Sequence, residues 1–106
     1  MRDPLDTVVS AVGSEIDEPS TFQLNQNYPN PFNPSTTIRF EIADEANASL
    51  RVFNILGQEV ATLVNEKLNP GRYERSFDGK GLASGVYFYR LQAGAFVQTR
   101  KLLLLK

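Results

Sequence analysis

Catalysis at neutral pH rests most often on histidine, and this chain of 106 residues has none; cysteine and tryptophan are absent as well. Without cysteine there is no thiolate nucleophile, no thiolate metal ligand and no disulfide framework. Serine and threonine hydroxyls are plentiful, yet no base sits where it would activate one, and no G-x-S-x-G elbow occurs. Asp44 and Glu45 are adjacent carboxylates in a turn-like stretch, but calcium asks for about six to eight oxygen ligands and the D-x-D-x-D-G spacing is missing. Phosphate-cradling glycine loops are missing too. These residues predict no enzyme, no metal site and no cofactor.

Aromatic side chains could offer another chemistry, stacking on sugar rings, with Tyr28, Phe32, Tyr87, Phe88 and Tyr89 as candidates. Phe40, Phe77, Tyr87 and Tyr89, however, recur at period-two positions where a core would use them. Basic residues are scattered, with only Arg100 and Lys101 adjacent, so no stripe suited to nucleic acid is present. The apolar run at 102–105 is far too short to span a bilayer, which takes roughly 20 residues as a helix.

The elements that would position such side chains read as strands. Residues 27–42, NYPNPFNPSTTIRFEI, carry Pro29, Pro31 and Pro34 among asparagines and an aromatic residue. Prolines fix φ, remove donors and push the preceding residue toward extended backbone, so the segment is a rigid non-helical lead-in to a strand beginning near Thr37. From there Ile38, Phe40 and Ile42 face one way and Arg39 and Glu41 the other. Residues 43–47 read as a polar connection and 48–56 as a strand with apolar residues on both faces. Gly57 and Gln58 form a turn, with Gly57 at positive φ. Residues 59–64 read as a strand, since a helix there would lack an N-cap and sufficient length. Asn69-Pro70-Gly71 fits a type II turn. Residues 72–77 and 86–91 alternate again, and Ala93-Gly94 offers a hairpin into 96–105.

The pattern predicts an all-β fold, a six- to seven-stranded antiparallel β-sandwich, immunoglobulin-like in plan. Its predicted core includes Ile38, Phe40, Leu50, Val52, Tyr73, Phe77, Tyr87, Tyr89 and Leu91. The ending KLLLLK reads as a central strand with apolar residues on both faces. An exposed leucine face there would be an interaction surface.

A net charge of −1 conceals an asymmetry: Asp3, Asp6, Glu15, Asp17 and Glu18 stand against Arg2 alone in residues 1–20. Residues 1–21 therefore read as an acidic linker from an upstream domain, although Val8, Val9, Ala11 and Val12 could form a short strand. Met1-Arg2-Asp3-Pro4 does not open a secretory signal, which is expected on a missing N-terminal part.

The proline-rich block resembles, with the later VFNILGQEVATLV, LASGVYFYRLQAG and KLLLLK, one family: the type A C-terminal sorting domains of the type IX secretion system. The resemblance runs from about residue 22 to residue 106. It implies an immunoglobulin-like domain that directs a covalently linked N-terminal cargo through the periplasm and across the outer membrane to the cell surface. The implied partners are the type IX translocon and a surface sortase that cuts ahead of the domain, here within about residues 13–22. Positions matching the family pattern are Pro29, Asn30, Pro31 and Phe32, then Gly57 and Gln58, then Gly85, Val86 and Tyr87, and finally Lys101 and Lys106. Two other readings stay open: a structural module of the flagellar hook-capping or adhesin-stalk kind, and a carbohydrate-binding module. A chain ending at Lys106 directly after four leucines favours the sorting domain.

Overall fold

Alternation of apolar and polar residues with period two becomes alternation of burial, and β-branched and aromatic residues supply the strands. The computed structural model of the protein describes residues 19–106. Seven strands form among the described residues. They are β1 (Gln23–Leu24), β2 (Ser35–Ile42), β3 (Ala46–Phe53), β4 (Glu59–Leu68), β5 (Gly71–Asp78), β6 (Gly85–Ala93) and β7 (Phe96–Leu104). The expected strand within residues 1–12 and most of the expected linker lie outside the described residues.

One sheet has the order β1-β2-β5 and the other β4-β3-β6-β7, with every pairing antiparallel. This is an immunoglobulin-like plan in which the fourth strand pairs with the third instead of the fifth. The chain changes sheet between β2 and β3, β4 and β5, and β5 and β6, while β3–β4 and β6–β7 are hairpins within one sheet. Between the sheets lies one core. Ile38, Phe40, Leu50, Val52, Phe77, Tyr87, Tyr89 and Leu91 are all buried there, as the alternation predicts. Leu24, Phe32, Ile42, Leu102 and Leu104 join them.

Several local expectations give way to competing interactions. Tyr73 is only half-buried, because β5 is an edge strand; its ring stacks on Phe40 at 5.5 Å and its hydroxyl donates to the Asn69 carbonyl at 2.7 Å. Gly71 does not take positive φ, so no type II turn forms at 69–71. Gly71 instead enters β5 opposite Ile42, and Asn69-Pro70 carries the chain across to the other sheet. Residues 59–68 form one strand of ten residues, longer than alternation suggested. Its register against β3 shifts between Leu50 and Arg51 and again between Val52 and Phe53. The third strand starts earlier than expected, at Ala46, and stops at Phe53.

The stop at Phe53 has a clear cause. The Asn54 side-chain oxygen accepts from the Leu56 N–H at 2.9 Å and the Gln58 N–H at 3.0 Å, closing a local turn on its own backbone. Gly57 completes the turn at φ 81°, where a Cβ would be strained. Ile55 and Leu56 are thereby lifted off the strand and left 70% and 77% exposed.

The leucine-rich ending also differs from expectation. β7 is an edge strand, and only one of its faces enters the core. Leu102 and Leu104 are fully buried, whereas Leu105 remains 48% exposed. Replacing Leu102 or Leu104 by Ala should cost roughly 2–5 kcal/mol, through lost transfer energy and a residual cavity. Leu105→Ala should stay within about 0.5 kcal/mol. Urea unfolding of the three variants measures this directly. Equal losses at positions 104 and 105 would mean that both faces of the strand are packed.

Candidate recognition site

Residues 26–32 lie along β7 and close half of its outer edge. An edge strand presents unpaired N–H and C=O groups, and the side of β7 away from β6 would do so. The Phe32 N–H donates to the Leu103 carbonyl at 3.0 Å, and the Leu105 N–H donates to the Phe32 carbonyl at 3.0 Å. Phe32 and Leu104 thus form a parallel bridge. Asn30 Oδ1 accepts from the Leu103 N–H at 3.0 Å, and Gln26 Nε2 donates to the Lys101 carbonyl at 2.8 Å. Prolines at 29 and 31 suit this segment because it needs few donors of its own. The peptide bonds preceding Pro29, Pro31 and Pro34 are cis.

Phe32 inserts between the sheets, only 2% exposed, with its ring tilted against Phe77 at 5.9 Å. Gly79 makes this close approach possible. A Cβ there would lie 3.0 Å from Leu104 Cδ2 and 3.3 Å from the Phe32 ring. Tyr28, in contrast, stands 74% exposed, its backbone paired with Thr37 through two 3.0 Å hydrogen bonds.

A second set of contacts fixes the same segment from inside. The Tyr89 hydroxyl donates to the Asn25 carbonyl at 2.6 Å and accepts from the Asn27 N–H at 2.8 Å. Asn27 is buried and fully engaged: its Nδ2 donates to Thr36 Oγ1 and the Pro29 carbonyl, and its Oδ1 accepts from Gln26. Thr36 Oγ1 donates in turn to the Pro29 carbonyl at 2.8 Å. Arg100 lies on the inward side of β7 opposite Tyr89, and its Nε donates to the Leu24 carbonyl at 2.6 Å. Burial pushes the Tyr89 hydroxyl up to about 12, against the smaller opposing effects of the Asn27 backbone bond and the Arg100 charge.

The remaining sequence-predicted positions gather at the same end of the sandwich, apart from one. Gly57 and Gln58 sit in the β3–β4 turn, and the preceding residues 54–56 form one wall of an apolar groove of about 350 Å³. Gly85, Val86 and Tyr87 form the other wall. Gly85 pairs with Leu104, and the Lys106 N–H donates to Ser84 Oγ at 3.0 Å. Pro29, Asn30, Pro31 and Phe32 adjoin Leu103 and Leu105 through the edge clamp. Lys101 stands apart, farther up β7 opposite Phe88, with its side chain on the outer face.

Sequence reasoning missed Gln26, Asn27, Asn54 and Arg100, and assigned Tyr89 only to the core. A signal for Arg100 was present: alternation puts this charge on the inward face with Leu102 and Leu104, where it must find a partner. The exposed position of Ile55 and Leu56 was hidden, because the Asn54 turn interrupts an apolar run that otherwise continues the strand.

Tyr89 makes the clamp sensitive to alkali. An unfolded tyrosine titrates near 10, so between about pH 10 and 12 the folded state keeps a proton that the unfolded state has released. The stabilisation is complete below about 10 and is lost as pH rises through about 12, at up to about 1.4 kcal/mol per unit. Tyr89→Phe should cost about 1–3 kcal/mol at neutral pH by leaving Asn27 N–H and Asn25 C=O unmatched. It should also flatten the fall in stability above about pH 10. Urea unfolding at stepped pH checks both, and parallel pH curves for the two proteins would remove Tyr89 from the explanation.

No curated protein matches the chain. Among solved structures, the Ig1 domain of mouse SynCAM 2 shares 18% identity at a TM-score of 0.38, covering 67% of this chain and 80% of that one. The family described as secretion system C-terminal sorting domain matches residues 26–105, from the start of the edge clamp to the last leucine. The match takes in the proline-rich lead-in, the β3–β4 turn, β6 and β7 together, and the chain belongs to this family of secretion sorting domains.

Proposed function

We propose that this chain is a folded address tag: a sorting domain that brings a covalently attached cargo across the outer membrane by the type IX secretion system. The observation that carries the reading is the family match over residues 26–105. Its mechanism is recognition of a folded surface, with no bond made or broken by this chain. Residues from 22 onward form the domain, and residues 1–21 serve as an acidic linker to the cargo. Delivery is to the cell surface by way of the periplasm, and the partners are the translocon and a surface sortase.

Such a sortase would cut ahead of the folded residues. A protease needs an accessible, extended segment, and by residue 22 the chain is already tied to the sandwich, with Phe22 stacked on Phe96 at 5.5 Å. Pro19 is buried as well. Cleavage in the part of the 13–22 window ahead of Pro19 would leave the domain intact and release the cargo.

The test is a fusion of a signal peptide, a neutral reporter and the whole 106-residue chain, expressed in a host with the type IX machinery. The reporter should reach the cell surface. A reporter held in the periplasm, in a host that exports the same reporter behind an established sorting domain, would refute the reading.

A further inference from the structure

The two sheets present very different outer faces. On the three-stranded sheet, charges pair across strands: Arg39 with Glu74 at 3.1 Å and Arg72 with Glu41 at 3.4 Å. On the four-stranded sheet, the half nearest the β3–β4 turn is apolar and cationic. Phe53 and Phe88 lie opposite each other, Arg51 faces Arg90 across the same two strands, and Lys101 pairs with Phe88 from β7. Glu59 is engaged by Arg51 at 3.6 Å. Arg90 and Lys101 have no carboxylate partner among the described residues. Arg90 instead lies half-buried over the Phe53 ring at 4.7 Å.

At the rim of this face stands the turn tip with Ile55 and Leu56, 70% and 77% exposed, beside the 350 Å³ groove bounded by Val86 and Tyr87. An apolar projection next to an apolar hollow, on a face carrying uncompensated cations, has the anatomy of an interface core with a charged rim. We propose that this half-face is the surface read during export. Its occupant is a protein of the export machinery that offers an apolar pocket for Ile55 and Leu56, an apolar side chain for the groove, and carboxylates opposite Arg90 and Lys101. This rests on the sorting function argued above and names the surface and partner chemistry for it.

The face itself favours that occupant. A second copy packed two-fold on this face would bring two surfaces of the same positive sign together, an arrangement that repels. A bilayer would attract the cations and take up Ile55, but it presents no projection to fill a concave groove. A protein partner satisfies the apolar tip, the groove and the charge at once.

The experiment uses the reporter fusion with the whole chain. Ile55→Asp with Leu56→Asp should lower surface display about tenfold or more, the scale of losing interface anchors, with the reporter accumulating in the periplasm. Lys101→Glu should also lower it, and Lys101→Arg should restore it. These side chains are exposed, so melting temperatures should stay within a few degrees of the parent. If the Asp pair does lower the melting temperature, Ile55→Ser with Leu56→Ser carries the same test. Gln92→Glu, on the polar half of the same face, should export as the parent does. Failure of the parent fusion itself counts against the sorting function. Normal display of the Ile55/Leu56 variant or of Lys101→Glu, with the parent exported, overturns this surface alone.

Three further outcomes would reassign the face. Binding of the purified chain to phosphatidylglycerol vesicles, lost in the Ile55/Leu56 variant, would assign it to lipid. A dimer in sedimentation, abolished by the same variant, would assign it to a second copy. A gain in export on converting Asp3, Asp6, Glu15, Asp17 and Glu18 to their amides would assign it to the chain's own leading residues. Each of these overturns the proposal of a protein receptor.

Discussion

The outer edge of β7 is the constraint around which the structure is arranged. An open edge with a leucine-rich strand is an invitation to pair with any other chain. Here the half from Lys101 to Leu105 is closed by residues 26–32, through the Phe32–Leu104 bridge and the Asn30 and Gln26 side chains. The closing segment cannot be an ordinary strand, because it must also deliver an aromatic side chain between the sheets. Prolines and asparagines meet both demands, by limiting the donors that need partners and by turning the chain on side-chain hydrogen bonds. Burying the Phe32 ring contributes roughly 1.5–3 kcal/mol, a large share of the stability of a domain this size.

The clamp also links the two ends of the described chain to the core through very few groups. Tyr89 holds Asn25 and Asn27, Arg100 holds Leu24, and Gly79 makes room for Phe32 against Leu104. These are long-range contacts between the lead-in before β2 and the final two strands. Bringing segments so distant in sequence together carries a loop-closure cost. The terminal strand is therefore ordered by the same residues that make the proline-rich block recognisable.

What the sequence made legible follows from this arrangement. Period-two alternation located the strands and named a core in which Phe40, Leu50, Tyr87 and Tyr89 are indeed buried. Such alternation reports which face is covered, and nothing about which strand lies beside which. That is why β7 read as central although it is an edge, and why Tyr73 read as buried although β5 is an edge too. The Asn69-Pro70-Gly71 turn failed for a related reason: a local turn motif competes with a sheet change that only the topology reveals. For the candidate site, the sequence marked the blocks but not their convergence. Phe32 was visible as an aromatic residue within the proline-rich block; its contacts with Leu104 and Gly79 were not.

The two faces of β7 divide two roles that the string KLLLLK merges. Leu102 and Leu104 are committed to the core, so their exchange acts on folding. Lys101 is exposed and shares the outer face with Leu103, so a partner could touch both without unfolding the domain. The edge between those faces is already taken by residues 26–32, which bars a partner from adding a strand against residues 101–105.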